Sequence, residues 1–198
     1  EILSKNGYKI HGVDLSEEML FKAKEKSKVN TNLSFEKADI TNFNNNEKYD
    51  VVISLFHVIS YQITNSQLIN SLKTAYNHLE EGGVFIFDFW YGPAVLNDQP
   101  VTRIKRVSND KIKVTRLAEP EMFPKENRVI VNYEIFLENL KNGNISTFNE
   151  SHNMRYLFDQ ELEMICNDIS FKINGKYHWL TNNSPDINSW NVVWILEK

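Results

Sequence analysis

The chain has 198 residues, 41% of them hydrophobic and 24% charged, a balance typical of one globular domain with a core of its own. Its net charge is −4 without a run of Lys or Arg, which argues against nucleic acid as the main partner, because phosphate binding needs a clustered basic surface. The apolar runs are too short to span a bilayer, and Cys166, the single cysteine, favours the reducing cytoplasm.

The chain opens with alternating predicted strands and helices. A helix end is expected over residues 1–6, a strand over 8–13, a helix over 16–28 and a second strand over 33–37. Ser16 is the expected N-cap of the first full helix, because a serine side chain there accepts a hydrogen bond from the first turn. The switch from a short apolar run to helical spacing predicts the start of a βαβ unit.

The middle of the chain continues the same alternation. Residues 51–56 form a continuous apolar run, which is typical of a strand buried on both faces. A helix is then expected to run up to Gly82 and Gly83, with a strand over 84–89 after it. Apolar residues recur at helical spacing in that helix at Leu68, Leu72, Ala75, Tyr76 and Leu79. This order predicts a parallel, doubly wound sheet.

The pattern changes after Pro93. Residues 101–157 contain no convincing helix, and their β-branched and aromatic residues predict an inserted antiparallel sheet. Its strands are expected over residues 111–117, 128–137 and 145–157, with turns at 109–110 and 142–144.

The last segment is expected to return to the core. A helix is predicted over residues 158–169, followed by strands over 171–180 and 190–197. The loop between these two strands is too short for a crossover helix, so they should pair antiparallel. The fold class is therefore α/β, with a doubly wound mostly parallel sheet, a terminal antiparallel hairpin and an inserted antiparallel β-sheet. The segments are residues 1–98 as a nucleotide-binding core, 99–157 as an insertion over the active site and 158–198 as the return to the core.

Asp14 is the most informative single residue. It closes the first predicted strand, where an acid of a βαβ unit can accept hydrogen bonds from both hydroxyls of a ribose. The glycine-rich turn of such a unit normally lies about 20 residues earlier, which would be upstream of Glu1. We therefore expect a nucleotide-type fold without its first strand and first loop, with a plain helix-capping carboxylate as the alternative role for Asp14.

Four short segments carry a resemblance to a known family. They are GVDLSEEML at 12–20, ADI at 38–40, DVVISLFH at 50–57 and LEEGGVFIFD at 79–88. In this order they resemble the class I S-adenosylmethionine-dependent methyltransferases, which have a Rossmann-like fold. The tail over 189–198 is similar to members that act on small molecules, and the layout resembles the sugar N-methyltransferases. The chain departs from the family in lacking the N-terminal glycine-rich motif that holds the methionine end of the cofactor.

The resemblance implies S-adenosylmethionine as the cofactor. It assigns the ribose hydroxyls to Asp14 and the adenine amino group to Asp39, which otherwise reads as a turn-forming aspartate. The full set of implied cofactor contacts is Asp14, Leu15, Met19, Ala38, Asp39, Ile40 and Leu55.

Three residues are candidates for catalysis. His57 lies where the family's fourth strand emerges toward the cofactor, and a histidine can take a proton from an amine or hydroxyl near neutral pH. Tyr61 follows one helical turn later, and His152 lies near the end of the inserted sheet. Each of these side chains could instead shape the pocket or satisfy a buried hydrogen bond.

Substrate contacts are expected at the next strand end and on the inserted sheet. Trp90 and Tyr91 follow the strand over 84–89, where open α/β sheets face their ligand crevice; a hydrophobic hinge is the alternative. Alternation places His152 and Tyr156 on one face and Arg155 on the other. Arg155 could bind an anionic acceptor group, although an exposed strand charge is the common explanation.

The expected function is methyl transfer from S-adenosylmethionine to a small-molecule amine or hydroxyl. The alternatives are an NAD-dependent oxidoreductase, since an acid after the second strand also suits NAD, and a non-catalytic methyltransferase-like binding protein. The histidines and the cysteine show no metal-ligand spacing. A small-molecule acceptor is the expected partner, without nucleic acid or membrane, and a homodimer stays open.

Overall fold

The computed structural model describes residues 2–28 and 30–198; Glu1, the first residue of the predicted helix end, lies outside the described residues. The helices are α1 (Ile2–Lys5), α2 (Glu17–Ser27), α3 (Asn65–Asn77), α4 (Gly92–Asn97) and α5 (Asp159–Ile169). The strands are β1 (Ile10–Asp14), β2 (Leu33–Lys37), β3 (Tyr49–Ser54), β4 (Leu79–Tyr91), β5 (Arg103–Ser108), β6 (Ile112–Phe123), β7 (Arg128–Asn139), β8 (Ile145–Leu157), β9 (Lys172–His178) and β10 (Asn191–Glu197). None of these helices has the length and apolar character that crossing a membrane requires.

The described strands form two hydrogen-bonded sheets. β1 and β2 pair in parallel as a small sheet, and the larger sheet has eight strands in the order β5-β6-β7-β8-β4-β10-β9, with β3 also paired to β4. The β3–β4 pair is parallel, and the β9–β10 hairpin and the strands β5 to β8 are antiparallel. The predicted α/β class, with a terminal hairpin and an inserted antiparallel sheet, is therefore confirmed.

The inserted sheet of β5 to β8, called the roof below, is continuous with the core through β4. Residues Val84 to Phe87 of β4 pair with β3, whereas Trp90 and Tyr91 pair with the end of β8 along the same edge. The other edge of β4 is occupied by β10. β3 and β8 therefore lie end to end, and the chain leaving β3 must turn away directly beneath the roof.

The main core lies on one face of β4. Phe85, Phe87 and Phe89 alternate toward this face and are buried with Trp194 of β10. Helices α3 and α5 cover them with leucine side chains such as Leu68, Leu72 and Leu162. A residue of this kind typically contributes several kcal/mol to stability, since truncating a buried phenylalanine to alanine costs about 3–5 kcal/mol.

The helix before Gly82 ends earlier than the sequence predicts. α3 stops at Asn77, His78 is its C-cap, and Leu79 already belongs to β4. The backbone N–H of Gly82 donates to the carbonyl of Lys198, and the N–H of Lys198 donates to the carbonyl of Gly83. These contacts make Gly82 (φ 77°) a turn within the sheet rather than a helix end. The helical spacing included Leu79 because its side chain would be buried in a helix as well as in the strand that it occupies.

The prediction that residues 51–56 are buried on both faces is wrong. Val51 and Ile53 are each 46% exposed. β3 has β4 along one edge, and no described strand or helix lies along the other. Two elements within 92–108, α4 and β5, were also not predicted.

Candidate active site

A pocket of about 300 Å³ lies between the chain that leaves β3 and the inner face of the roof. It brings together the three predicted catalytic residues and Trp90, which are far apart in sequence. We call it the roof pocket, and its lining consists of Phe56, His57, Tyr61, Trp90, Arg116, Val131, Tyr133, Ile135, Glu150, His152 and Met154.

His57 is fixed by a buried carboxylate. The backbone N–H of His57 donates to Asp88 Oδ1 at 3.0 Å, and His57 Nδ1 lies 2.9 Å from Asp88 Oδ2. Asp88 itself is 1% exposed and belongs to β4. The Nδ1–Oδ2 approach is a close polar contact rather than an aligned hydrogen bond, and it leaves Nε2 as the ring nitrogen away from Asp88. A buried carboxylate that holds a histidine in one orientation is a common arrangement for a proton acceptor.

The backbone at this turn is unusual. Phe56 and His57 are consecutive non-glycine residues in the left-handed region, with φ of 64° and 65°. Such conformations cost of order 1–3 kcal/mol each and cluster at functional sites. The tight turn is needed because β8 takes over the edge of β4 just beyond Ser54, and Asp88 holds the turn through the His57 N–H.

A second histidine contacts the phenol of Tyr61. The hydroxyl of Tyr61 lies 2.6 Å from His152 Nδ1, and His152 Nε2 lies 3.4 Å from Glu150 Oε2. Burial raises the pKa of Tyr61, and the nearby Tyr133 and Glu150 raise it further. Tyr61 therefore remains a neutral phenol at physiological pH. The ring of Tyr133 packs edge-on against His152 with centroids 5.1 Å apart.

Tryptophans form an apolar wall of the roof pocket. The Trp90 ring lies 6.2 Å from that of His57, and Trp190 packs edge-on behind it at 5.5 Å. Ser60 Oγ accepts the backbone N–H of Trp90 at 3.0 Å, which ties the turn after β3 to β4.

The structure does not bring three of the predicted substrate residues to the roof pocket. Tyr91 is buried, and its hydroxyl donates to Asp159 Oδ2 at 2.6 Å. Burial and Asp159 both raise the pKa of Tyr91. Tyr156 is buried in a separate apolar cluster with Val95, although it shares the strand face of His152 as the alternation predicts. Desolvation raises the pKa of Tyr156.

Arg155 is neither a pocket residue nor an exposed charge. Its side chain is buried and its Nη2 donates to Glu161 Oε2 at 3.1 Å. The cation that lines the pocket is Arg116, which lies over the Tyr133 ring at 4.8 Å. Within residues 2–28 and 30–198 no carboxylate forms an ion pair with it. The sequence did not single out Arg116, because its position depends on the register that pairs it with Ile135.

The two predicted adenosine carboxylates lie at the tips of neighbouring strands. Asp14 ends β1 and is paired with Lys37, and the N–H of Ala38 donates to the carbonyl of Asp14 at 3.2 Å. Asp14 Oδ1 accepts the backbone N–H of Ser16 at 2.8 Å. Asp39 Oδ1 accepts from the N–H and the hydroxyl of Thr41, both at 2.8 Å. Asp39 therefore forms the turn named as its alternative role, and Asp14 likewise closes a local turn, since the N-cap of α2 is Ser16 rather than Asp14. Neither Oδ2 atom has a hydrogen-bond partner among the described residues.

The predicted adenosine-binding residues around these carboxylates differ in their exposure. Leu15 and Met19 are large apolar side chains that are 63% and 56% exposed. Ala38 and Leu55 are half-buried. Ile40 differs, because its side chain packs against the main core; its backbone is what the resemblance places near the adenine.

A larger hollow of about 560 Å³ lies elsewhere, between the loop over 41–48 and the end of α3. Its lining is mostly amide, threonine and lysine side chains. It lies beside the start of β3, whereas the roof pocket lies beside its end. It contains none of the predicted site residues.

Comparison with known proteins gives consistent results. Residues 1–83 match the family described as a methyltransferase domain. An 87-residue stretch, 44% of this chain, is 29% identical to a dTDP-3-amino-3,4,6-trideoxy-α-D-glucopyranose N,N-dimethyltransferase of Streptomyces venezuelae, and covers 35% of that protein. Over 99% of the chain it is 23% identical to YqeM of Bacillus subtilis strain 168, named as a candidate methyltransferase, and covers 78% of it.

Solved structures share the fold over almost the whole chain. An S-adenosylmethionine-dependent methyltransferase of Clostridium acetobutylicum superposes with a TM-score of 0.78 at 24% identity, covering 94% of this chain and 74% of that one. The sugar N-methyltransferase KedS8 of Streptoalloteichus gives a TM-score of 0.76 at 18% identity, covering 93% and 70%. Together, these comparisons show that the first 83 residues match a methyltransferase domain and that the chain shares the fold of S-adenosylmethionine-dependent methyltransferases.

Proposed function

We propose that this chain transfers the methyl group of S-adenosylmethionine to a small-molecule acceptor held in the roof pocket. The observation that carries the proposal is that the same chain contains both the roof pocket with its two histidines and the two carboxylates at the strand tips. The rings of His11 and Tyr49, near the starts of β1 and β3, lie 6.5 Å apart. This contact supports the expectation that the two strands also end near each other, as the strands of an open α/β fold do.

Residues at the ends of β1 and β2 are proposed to hold the adenosine part of the cofactor. Asp14 Oδ2 would accept from the ribose hydroxyls and Asp39 Oδ2 from the adenine amino group. Leu15 and Met19 would cover the adenine, while Ala38, Leu55 and the backbone of Ile40 complete the wall.

The chemistry left to the protein is alignment, exclusion of water and removal of a proton. When bound, S-adenosylmethionine supplies a methyl group that is already activated by its sulfonium. An amine acceptor is protonated near neutral pH and must become neutral before it can attack. His57 and the Tyr61–His152 pair are the groups positioned to take that proton, and the Trp90 wall keeps competing water away.

An amine on a sugar is the acceptor that we favour. The Streptomyces venezuelae relative is named for dimethylation of an amino sugar nucleotide, and KedS8 is named as a sugar N-methyltransferase. Arg116, rather than Arg155, is the cation placed to bind an anionic group of such an acceptor. Cys166, the single cysteine, favours the cytoplasm as the location, nucleic acid is not expected as a partner, and a homodimer remains open.

The experiment is a titration of the chain with S-adenosylmethionine by calorimetry, followed by mass spectrometry of amino sugar nucleotides incubated with both. Asp14→Asn should weaken cofactor binding about 10- to 100-fold, because it removes a hydrogen bond to a charged acceptor. Glu18→Gln is the matched control, because Glu18 is a nearby acid on the surface of α2, where it pairs with Lys22. Binding of NAD instead, or equal affinities of the two variants, would contradict the proposal.

A further inference from the structure

Tyr61, His152 and Glu150 form a series of polar contacts along one side of the roof pocket. Register pairs Glu150 with Tyr133 and His152 with Val131, which places both β8 side chains on the inner face of the roof. The Tyr61 hydroxyl contacts His152 Nδ1, and His152 Nε2 faces Glu150 Oε2. The His152 side chain is 33% exposed and that of Glu150 is 57% exposed, so a proton on His152 can reach solvent beside Glu150; Tyr61 is 42% exposed.

One arrangement of protons satisfies the whole series. Tyr61 keeps its proton at neutral pH, so its hydroxyl donates to His152 Nδ1. The imidazole is then the tautomer with its proton on Nε2, which points at a carboxylate that can only accept. With a neutral His152 and an ionised Glu150, no other assignment of protons gives each contact one donor and one acceptor.

We propose that Tyr61, His152 and Glu150 form a proton relay that carries the proton of the acceptor out of the roof pocket. The inference rests on the proposed function and adds Glu150 as a positioning residue, which acts through His152 and touches no substrate.

The step balances without any further reactant. An N–H proton of the acceptor passes to the Tyr61 oxygen while the Tyr61 O–H proton passes to His152 Nδ1. The acceptor nitrogen keeps the electron pair of the broken bond and becomes the neutral nucleophile. His152 becomes an imidazolium, stabilised by the Glu150 carboxylate, and then releases its Nε2 proton to solvent beside Glu150. The acceptor loses one positive charge as His152 gains one.

His57 is less suited to export a proton. Its Nδ1 faces Asp88, which is buried, so a proton taken by His57 returns only through the pocket itself. Glu150, in contrast, lies at the solvent edge. The titratable and charged side chains around His152 are Tyr61 on the turn after β3, Tyr133 on β7, Arg116 on β6, Glu150 on β8, and His57 across the pocket.

The test compares Glu150→Gln with Glu134→Gln in the full chain. Glu134 is a matched control, because it lies on β7 opposite Asn149 and therefore on the outer face of the roof. Nitrogen NMR of the histidine side chains, without any ligand, should show His152 as the Nε2–H tautomer in the wild type and in Glu134→Gln. In Glu150→Gln the tautomers should be mixed.

Kinetics with S-adenosylmethionine and the amino sugar nucleotide that is methylated supply the second measurement. Glu150→Gln should lower kcat about tenfold at unchanged KM, because the imidazolium formed on His152 loses its carboxylate. A His152 signal of the Nδ1–H tautomer, or equal behaviour of the two variants, overturns the relay while the proposed function stands. Failure of the wild type to bind S-adenosylmethionine overturns the proposed function and with it the relay's purpose.

Discussion

Asp88 shows how one side chain can set both the shape and the chemistry of a site. One of its oxygens accepts the backbone N–H of His57, and the other faces the ring of the same residue. The carboxylate therefore stabilises a left-handed turn and orients an imidazole at once. Burying an ionised carboxylate this deeply is costly unless hydrogen bonds compensate it. The hydrogen bond from the His57 N–H supplies part of that compensation.

Asp88→Asn is expected to lower kcat for methyl transfer about 100-fold, because the amide no longer stabilises one orientation of the His57 ring. Cofactor affinity should be unchanged, since Asp88 does not lie at the strand tips. The measurement is steady-state kinetics beside calorimetry of S-adenosylmethionine. Asp98→Asn, at the exposed end of α4, is the control, and unchanged kcat in Asp88→Asn would remove His57 from the proposed chemistry.

The Arg155–Glu161 pair should be a determinant of stability rather than of activity. Glu161→Gln leaves a buried guanidinium without its carboxylate, which typically costs about 3–5 kcal/mol of the free energy of unfolding. Glu163→Gln is the comparison, because Glu163 pairs with Lys176 at a partly exposed site, where such pairs are worth about 0–1 kcal/mol. Urea unfolding measures both variants, and equal losses would show that Arg155 is not desolvated as described.

At the scale of elements, the sequence was informative where a strand has a plain periodicity and clear turns. β2 and β8 begin and end as predicted, and Ser16 caps α2 by accepting the N–H of Met19. The end of α3 was missed because Leu79 satisfies both periods. The roof pocket was foreseen only in part, since His57, Tyr61 and His152 belong to local patterns, whereas Arg116 reaches the pocket through strand register that no local pattern encodes.

Helix α5 contains the thiol of Cys166, which should ionise far more readily in the unfolded chain than in the native protein. Burial against the core raises the pKa of Cys166 from an ordinary value of 9.0 to about 12. Between these values the unfolded thiol has lost a proton that the native one retains, so the free energy of unfolding should fall as pH rises, by about 1.4 kcal/mol per pH unit.

Cys166→Ala should lack this part of the dependence above pH 9, whereas the tyrosines, which ionise near pH 10 when unfolded, contribute alike to both proteins. Urea unfolding of both proteins at several pH values measures the slope. The absolute stability of the variant will be lower because of the cavity, but the comparison depends only on the slopes. Parallel lines for the two proteins would contradict the assignment.

At the scale of the whole molecule, the β1–β2 sheet is the part least tied to the rest. Among the described residues it shares no strand ladder with the larger sheet. It is joined to the larger sheet in part by stacked rings, with His11 and Phe43 centroids 5.9 Å apart and Phe43 and His78 centroids 4.8 Å apart. Sheets of two strands are marginal on their own, so cooperativity between the two sheets should be limited.

We therefore expect the amides of β1 and β2 to exchange with deuterium before those of β4 and β10. Addition of S-adenosylmethionine should slow exchange at the ends of β1 and β2 in particular, because ligand binding stabilises the state that holds it. Hydrogen-exchange mass spectrometry distinguishes the segments. Uniform exchange across both sheets, or protection confined to the roof, would contradict this division.

The end-to-end arrangement of β3 and β8 along β4 has a consequence for how such a protein can change. Because the roof and β3 both pair with β4, we expect the two sides of the roof pocket to move little relative to each other, so that an acceptor would enter through a permanent opening. The inward-facing side chains of the four roof strands would then determine which acceptor binds. The sequence of these four strands could therefore change without altering the residues that we propose to bind S-adenosylmethionine.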